Sequence, residues 1–378
     1  MSARNPHSDL AAAAISGLAP YEPGKPAAAL RREYGLSDVI KLASNENPLG
    51  PSPTVKAALL AAADDVERYP DGACFELRDA LARHLQVNPD QLTLGNGSND
   101  VLVLLAETFL TERVAAVYDQ YSFVVYRLAV QACGAKAHVS DSNPPDHAQP
   151  LGHDLDAMRA LVDATTRLVF IANPNNPTGT WLEQDELRRF LRDMPDHVIT
   201  VLDEAYLEYA RQSDEPDTLA WLHEFPRLVI VRTFSKAYGL AGLRIGYCVS
   251  SPSIAELLNR VRQPFNVNSM AQKAALAALA DQQWLQQSVI ANATGMHQLQ
   301  QGLDKLGLQW IPSRGNFLLV DLGSAERAVA CNEYLLRAGV IVRPVANYGL
   351  PAYLRITVGT AEETRRLLET MTRFAGTT

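Results

Sequence analysis

Three short polar segments, each placed directly after an apolar run, hold residue types suited to amine and anion chemistry. Asn173-Pro174-Asn175-Asn176-Pro177-Thr178-Gly179 follows Leu168–Ala172, and Asp203-Glu204-Ala205-Tyr206 follows Val198–Leu202. Thr233-Phe234-Ser235-Lys236 follows Leu228–Val231, with Arg244 eight residues further on. A lysine offers a nucleophilic amine that also carries protons on a long flexible stem. An arginine offers a planar fork for phosphate or carboxylate, and an aspartate offers a fixed negative charge. Taken singly, each has a plain explanation: a turn, a helix N-cap, a solvated lysine, a surface charge. Their joint order after successive apolar runs is much harder to obtain by chance.

The elements that position them follow from hydrophobic patterning. Val114–Tyr118, Leu168–Ala172, Val198–Leu202 and Leu228–Val231 are rich in β-branched residues and do not alternate, as expected of strands covered on both faces. Between them lie helical patterns, including Asp100–Leu110 and the charged amphipathic Glu183–Leu191. This alternation predicts an α/β protein with a mostly parallel, doubly wound sheet, in which ligands bind at the C-terminal ends of the strands. From about Leu308 the pattern changes: a strand at Asn316–Leu322, a helix at Ala325–Ala338, then Val340–Pro344 and a strand at Tyr353–Val358. We therefore expect a large domain over residues 46–290 and a smaller α+β domain over 291–378, joined by the N-terminal segment 1–45.

Composition narrows the function class. The chain has 378 residues, 47% apolar and 20% charged, with 34 Lys and Arg against 42 Asp and Glu for a net charge of −8. That balance argues against a general nucleic-acid or anionic-membrane binder. No run approaches the length of a membrane span, and the N-terminus makes a poor signal peptide, so a cytoplasmic protein is expected. Cys74, Cys133, Cys248 and Cys331 form no C-x-x-C and show no metal-ligand spacing, so reduced thiols and no metal are expected. The closest histidines, His147 and His153, lie in a Pro/Asp-rich stretch that reads as solvated loop. There is no P-loop and no G-x-S-x-G. Gly95-Asn96-Gly97 starts like a dinucleotide fingerprint but lacks its third glycine.

The series Asn173–Gly179, Asp203–Tyr206 and Ser235-Lys236-Ala237-Tyr238-Gly239-Leu240-Ala241-Gly242-Leu243-Arg244 resembles the fold-type I aminotransferases, which use pyridoxal phosphate, and the resemblance spans nearly the whole chain. Pro20–Lys25, Leu42–Gly50 and Arg68-Tyr69-Pro70-Asp71-Gly72 resemble the histidinol-phosphate aminotransferases among them. The resemblance implies that Lys236 joins covalently to the cofactor aldehyde and shuttles the proton, and that Asp203 keeps the pyridine nitrogen charged. Asn176 and Tyr206 would bond the ring's O3′. Gly97, Ser98, Asn99, Ser235 and Arg244 would hold its phosphate at a helix N-terminus. Tyr121 resembles the aromatic residue stacked on the ring. Arg355 and Arg343 would grip substrate anions, with Asn45 beside them. Asp100 stands where the family often has glutamate, and Asn99 where it often has an acidic residue.

Tyr69 and Tyr21 match tyrosines that come from the neighbouring subunit, Tyr69 to the phosphate and Tyr21 to substrate, which implies a homodimer with composite sites. The activity so implied is two-step transamination of L-histidinol phosphate with 2-oxoglutarate, giving imidazole-acetol phosphate and glutamate, in histidine biosynthesis. An aromatic amino-acid aminotransferase and a decarboxylase of threonine-phosphate type share the cofactor residues and stay open at this point. A ligand-sensing regulator is disfavoured, because no DNA-binding segment or basic stretch accompanies the series.

Overall fold

A computed structural model describes residues 7, 10–20, 24–211 and 217–376. In chain order its strands are β1 (Ile40–Lys41), β2 (Leu92–Gly95), β3 (Ala115–Asp119), β4 (Lys136–Ser140), β5 (Thr166–Ala172), β6 (Ile199–Asp203) and β7 (Leu228–Thr233). They continue as β8 (Gly246–Val249), β9 (Gln309–Ile311), β10 (Phe317–Asp321), β11 (Val340–Ile341), β12 (Arg343–Pro344) and β13 (Tyr353–Thr357). The principal sheet has seven strands in the order β2-β8-β7-β6-β5-β3-β4, all parallel except β8.

The expected doubly wound architecture is therefore present, and its cause is visible in the side chains. Along β5 to β7, alternate residues enter opposite cores. Val169, Ile171, Leu202 and Ile230 pack with Leu77 and Leu81 of helix Phe75–Leu85 and with Ala271 and Ala274 of helix Ser269–Ala280. Leu168, Phe170, Val201 and Val229 pack on the other face with Val101 and Leu105 of helix Ser98–Phe109 and with Tyr126 and Val130 of helix Val124–Ala132. Burial on both faces explains why these strands read as continuous apolar runs.

The C-terminal part folds around a second sheet, β12-β13-β10-β9, wholly antiparallel. Its core contains Leu318, Val320, Leu354 and Ile356 with Leu335 and Leu367 from the covering helices Ala325–Arg337 and Ala361–Ala375. The N-terminal segment joins it: β1 pairs in parallel with β11, and Ile40 and Leu42 enter the same core. The 24-residue helix Gln282–Lys305 contributes Met296, Leu299 and Leu303 there. The ends of β5, β6 and β7 thus open toward β12 and β13, and the crevice between the two sheets is where the chemistry-bearing residues meet.

Candidate active site

The polar segments after β5, β6 and β7 line one cavity, together with Arg343 and Arg355 from β12 and β13. Lys236, three residues beyond β7, points its Nζ to the Ser44 carbonyl at 3.1 Å and stands 5.6 Å from the centre of the Tyr206 ring. Burial, helped by the nearby Arg355 guanidinium, pushes its amine down to about 7. A neutral amine is the reactive form of lysine, so this site holds a nucleophile ready near neutral pH. Capture of an aldehyde by Lys236 should therefore reach half its maximal rate near pH 7. An ordinary lysine would still be gaining rate toward its usual value above 10. Stopped-flow measurement of pyridoxal capture against pH checks this.

Asp203 ends β6 and is buried. Its Oδ2 accepts from the Tyr126 hydroxyl at 2.8 Å and its Oδ1 from the Ala205 N–H at 3.2 Å. Burial raises the carboxyl to about 6, while these two hydrogen bonds favour the ionised form. Tyr206 accepts from Asn45 Nδ2 at 2.9 Å, and burial pushes its hydroxyl up to about 12, so it remains a neutral donor. Asn45 is itself fixed by the small sheet, its N–H donating to Thr357 Oγ1 at 2.9 Å. Asn176 Oδ1 accepts from Arg355 Nη1, and Arg355 Nη2 also donates to the Ala43 carbonyl at 2.7 Å. Immediately behind Asp203, Glu204 pairs with Arg232 on β7, both buried, which ties together the ends of the two strands that present Asp203 and Lys236.

A turn between β2 and helix Ser98–Phe109 forms an anion cradle. Gly97, the N-cap, has φ +88° and no side chain over the first free N–H groups. Arg244 closes over it: a Cβ on Gly97 would lie 3.0 Å from Arg244 Cζ. Ser98, Asn99 and Ser235 complete the lining. Hydroxyls, backbone donors and a guanidinium around a helix N-terminus suit a phosphate monoester. With Lys236 and Asp203 on the same cavity, the donor set fits pyridoxal phosphate. Asp100 keeps the turn closed by accepting from Asn96 N–H at 2.8 Å and Asn266 Nδ2 at 3.0 Å. On β8, a Cβ at Gly246 would meet the backbone of this turn, 2.8 Å from the Gly97 carbonyl carbon. Gly246→Ala should thus destabilise the fold by about 1–3 kcal/mol and weaken cofactor binding, as thermal melts and cofactor titration would show.

Lys236, Asp203, Tyr206, Asn176, Asn45 and Ser98 line the cavity, as do Asn99, Ser235, Arg244, Arg343 and Arg355. One sequence reading comes out differently, that of His153, and two expected site residues, Tyr121 and Tyr69, stand outside this chain's own cavity. Tyr121 does not line it; its ring packs with Ile311, Leu319 and Leu350 of the small sheet region. Phe123, two residues later at the N-cap of helix Val124–Ala132, faces the cavity instead. The strand exit turns through Gln120–Ser122 before the helix starts, which brings Phe123 at the helix N-cap to the cavity wall. Tyr69 is 83% exposed, stacked on Phe265 at 4.8 Å, and lies outside the cavity lining. His153 is not a solvated loop residue: it is buried beside Asp119, with Nε2 3.1 Å from the Ala172 carbonyl. Tyr21 lies outside the described residues. Sequence reading missed Phe123, Tyr126 and the cavity residue Tyr348. A helix phased from Val124 would have pointed to the first two, whereas Tyr348 sits in an irregular turn without a periodic signal.

Comparison with known proteins places this geometry. Residues 37–371 match the model of the family aminotransferase class I and II. The chain belongs to that family. It is 54% identical over 364 residues to histidinol-phosphate aminotransferase 2 of Pseudomonas fluorescens strain Pf0-1, covering 96% of each chain. It is also 54% identical to histidinol-phosphate aminotransferase 2 of Methylococcus capsulatus, covering 94% of this chain and 95% of that one. Among solved structures, it resembles histidinol-phosphate aminotransferase from Sinorhizobium meliloti in complex with pyridoxal-5′-phosphate, with TM-score 0.87, 30% identity and 97% of both chains covered. The fold is also that of Thermus thermophilus aspartate aminotransferase, at TM-score 0.81 and 23% identity. Among the described residues no helix is long and apolar enough to cross a membrane, and no cluster could hold a metal ion.

Proposed function

We propose that this chain transfers the amino group of L-histidinol phosphate to 2-oxoglutarate, giving imidazole-acetol phosphate and glutamate. The observation that carries this reading is the placement of two arginines beside the Lys236 amine. Arg343 on β12 stands directly opposite Arg355 on β13, and both line the cavity. Like charges on opposed residues of adjacent strands repel, and a bound anion relieves that repulsion. A guanidinium fork accepts a phosphate or a carboxylate equally well, so one pocket serves a phosphorylated amine and a dicarboxylate in turn. Relatives named histidinol-phosphate aminotransferase at 54% identity favour this reading over the aromatic aminotransferase and decarboxylase alternatives.

Pyridoxal phosphate, when bound, supplies an aldehyde that takes up the amino group and a ring that accepts the electron pair left at the substrate Cα. Lys236 would be the amine that holds it covalently. With its amine free, the neutral Nζ would take the proton from the substrate Cα and give it back at the former aldehyde carbon of the cofactor, on the far side of the shared nitrogen. The ionised Asp203 carboxylate would pair with the protonated ring nitrogen, and Asn176 and Tyr206 would donate toward the ring oxygen. The cradle of Gly97, Ser98, Asn99, Ser235 and Arg244 would anchor the phosphate. Phe123, which lines the cavity, would offer the ring an aromatic surface. Arg355, with Arg343 and Asn45, orients the substrate so that its Cα–H faces Lys236. The small domain, over residues 291–378 with the segment 1–45, delivers these substrate groups to the large domain, residues 46–290. The test is product analysis: the protein with L-histidinol phosphate and 2-oxoglutarate should form glutamate, whereas release of carbon dioxide would assign it to the decarboxylases.

The functional unit is a cytoplasmic homodimer in which Tyr69, and Tyr21, reach the partner's site. The exposed stacked pair of Tyr69 and Phe265 supports this, since large aromatic surface in water is unfavourable until covered. Mixing inactive Lys236→Ala protein with Tyr69→Ala protein should then generate more activity than the two have separately. Hybrid dimers combine an intact Lys236 with an intact Tyr69 in one site. Activity no greater than the sum would place Tyr69 outside the partner's site.

A further inference from the structure

Asp203 is not alone at the base of the cavity. Tyr126, on the helix Val124–Ala132, is wholly buried, and its hydroxyl donates to Asp203 Oδ2 at 2.8 Å. Its ring has little freedom. It stacks on Phe170 of β5 with centroids 4.8 Å apart and planes 12° apart, and meets the edge of Phe123 at 5.9 Å and 89°. One side chain therefore connects three elements: the strand that forms the cavity floor, the aromatic residue that faces the cavity, and the carboxylate that ends β6. We infer that Tyr126 is a positioning residue for the reaction, holding the Asp203 carboxylate in its ionised form and in a single orientation beneath the cofactor ring. The inference rests on the reading of Asp203 as the partner of the ring nitrogen.

Charge and hydrogen-bond bookkeeping around Asp203 supports it. Lys236 from the loop after β7 favours the anion, and Glu204, the next residue along, opposes it. Tyr206 and Tyr348, and Arg355 beyond Tyr206, are the other titratable or charged groups nearby. Burial disfavours the charged carboxyl most of all. Against that, among the described residues Tyr126 and the Ala205 N–H donate to it, and the Tyr126 bond is the shorter. Burial and the Asp203 charge together push the Tyr126 hydroxyl well above its ordinary value, so it stays a donor over the whole working range. A hydroxyl bonded to a buried carboxylate stabilises the anion more than a neutral pair would.

The experiment compares native protein with Tyr126→Phe, which keeps the ring and its stacking, and with Asp203→Asn, which removes the carboxylate charge. Cofactor affinity is measured by titrating the cofactor-free proteins with pyridoxal phosphate and following the absorption band. The acid limb of the kcat profile is recorded in parallel. Tyr126→Phe should weaken cofactor binding roughly tenfold and move the acid limb to higher pH, because Asp203 then protonates sooner. A residue that served packing alone would lower the melting temperature and leave both readouts in place. Phe170→Leu, which loosens the stack and retains the hydroxyl, should produce a smaller change in the same direction and serves if Tyr126→Phe does not fold. Unchanged affinity and acid limb in Tyr126→Phe, with Asp203→Asn strongly impaired, would overturn the inference and leave the role of Asp203 standing. An Asp203→Asn protein that binds cofactor like the native one would overturn both.

Discussion

Lys236→Ala should lose about 10⁴-fold in turnover of L-histidinol phosphate with 2-oxoglutarate, the range expected when a positioned proton carrier is removed. Among the described residues, Nζ bonds the Ser44 carbonyl, which cannot carry a proton, and lies 5.6 Å from the centre of the Tyr206 ring, whose hydroxyl is held neutral at about 12. The loss should come without unfolding. The amine of Lys236 sits at about 7 in the folded chain against 10.5 for the ordinary side chain. The unfolded chain therefore binds more protons between those values, and folded stability rises with pH through that window. At neutral pH the lysine burdens the fold, so the alanine variant should melt at the same temperature as native protein or higher. The variant should still bind pyridoxal phosphate through the cradle, but without the absorption band of the lysine-linked form. Retained turnover would mean that another group moves the proton.

Arg355→Ala should lower kcat/KM for both amino donors by about 10²–10³-fold, the cost of removing a buried guanidinium and leaving its two hydrogen-bond acceptors unpaired. The reason lies in its contacts as well as its charge. Arg355 holds Asn176, proposed above to face the ring oxygen, and the Ala43 carbonyl at 2.7 Å, which fixes the segment leading to Ser44 and Asn45. Its loss therefore disturbs ring orientation and substrate binding together. Lysine restores the charge but not the fork, so Arg355→Lys should recover only part of the activity. Arg343, less buried at the mouth of the same strand pair, should give a smaller loss expressed mainly in KM. Steady-state kinetics with L-histidinol phosphate and with glutamate separates these effects. Equal, minor losses for both arginines would remove them from substrate recognition.

Much of this molecule was legible in the sequence because burial on both faces writes strands as unbroken apolar runs. β3, β5, β6 and β7 were found to within two residues at either end, and so were the polar segments that follow β5, β6 and β7. β4 was missed because it is an edge strand whose residues Lys136, Ala137 and Val139 are exposed, so no apolar pattern marks it. The helix Ala27–Tyr34 was missed for a similar reason: it buries only Leu30, and its start and end are set by Pro26 and Gly35. Within the site, side chains on strand ends were readable because their direction follows from the strand. Tyr121 lies in the four-residue turn between β3 and the next helix and packs on the small-sheet cluster, while Phe123 at the end of that turn lines the cavity, a difference that no strand or helix periodicity marks. His153 was misread because its partners, Asp119 and Ala172, are distant in sequence and become neighbours only through sheet order. The same holds for Tyr126 and Asp203, 77 residues apart.

The most direct measurement is a single half-reaction followed by absorbance. Cofactor-loaded protein is mixed separately with L-histidinol phosphate, glutamate and phenylalanine, and conversion of the cofactor from its aldehyde to its amine form is timed. The arrangement of Lys236 beside Arg343 and Arg355 predicts rapid conversion by L-histidinol phosphate and by glutamate, with phenylalanine slow. Rapid conversion by phenylalanine alone would contradict the assignment and remove the phosphate role of Arg343.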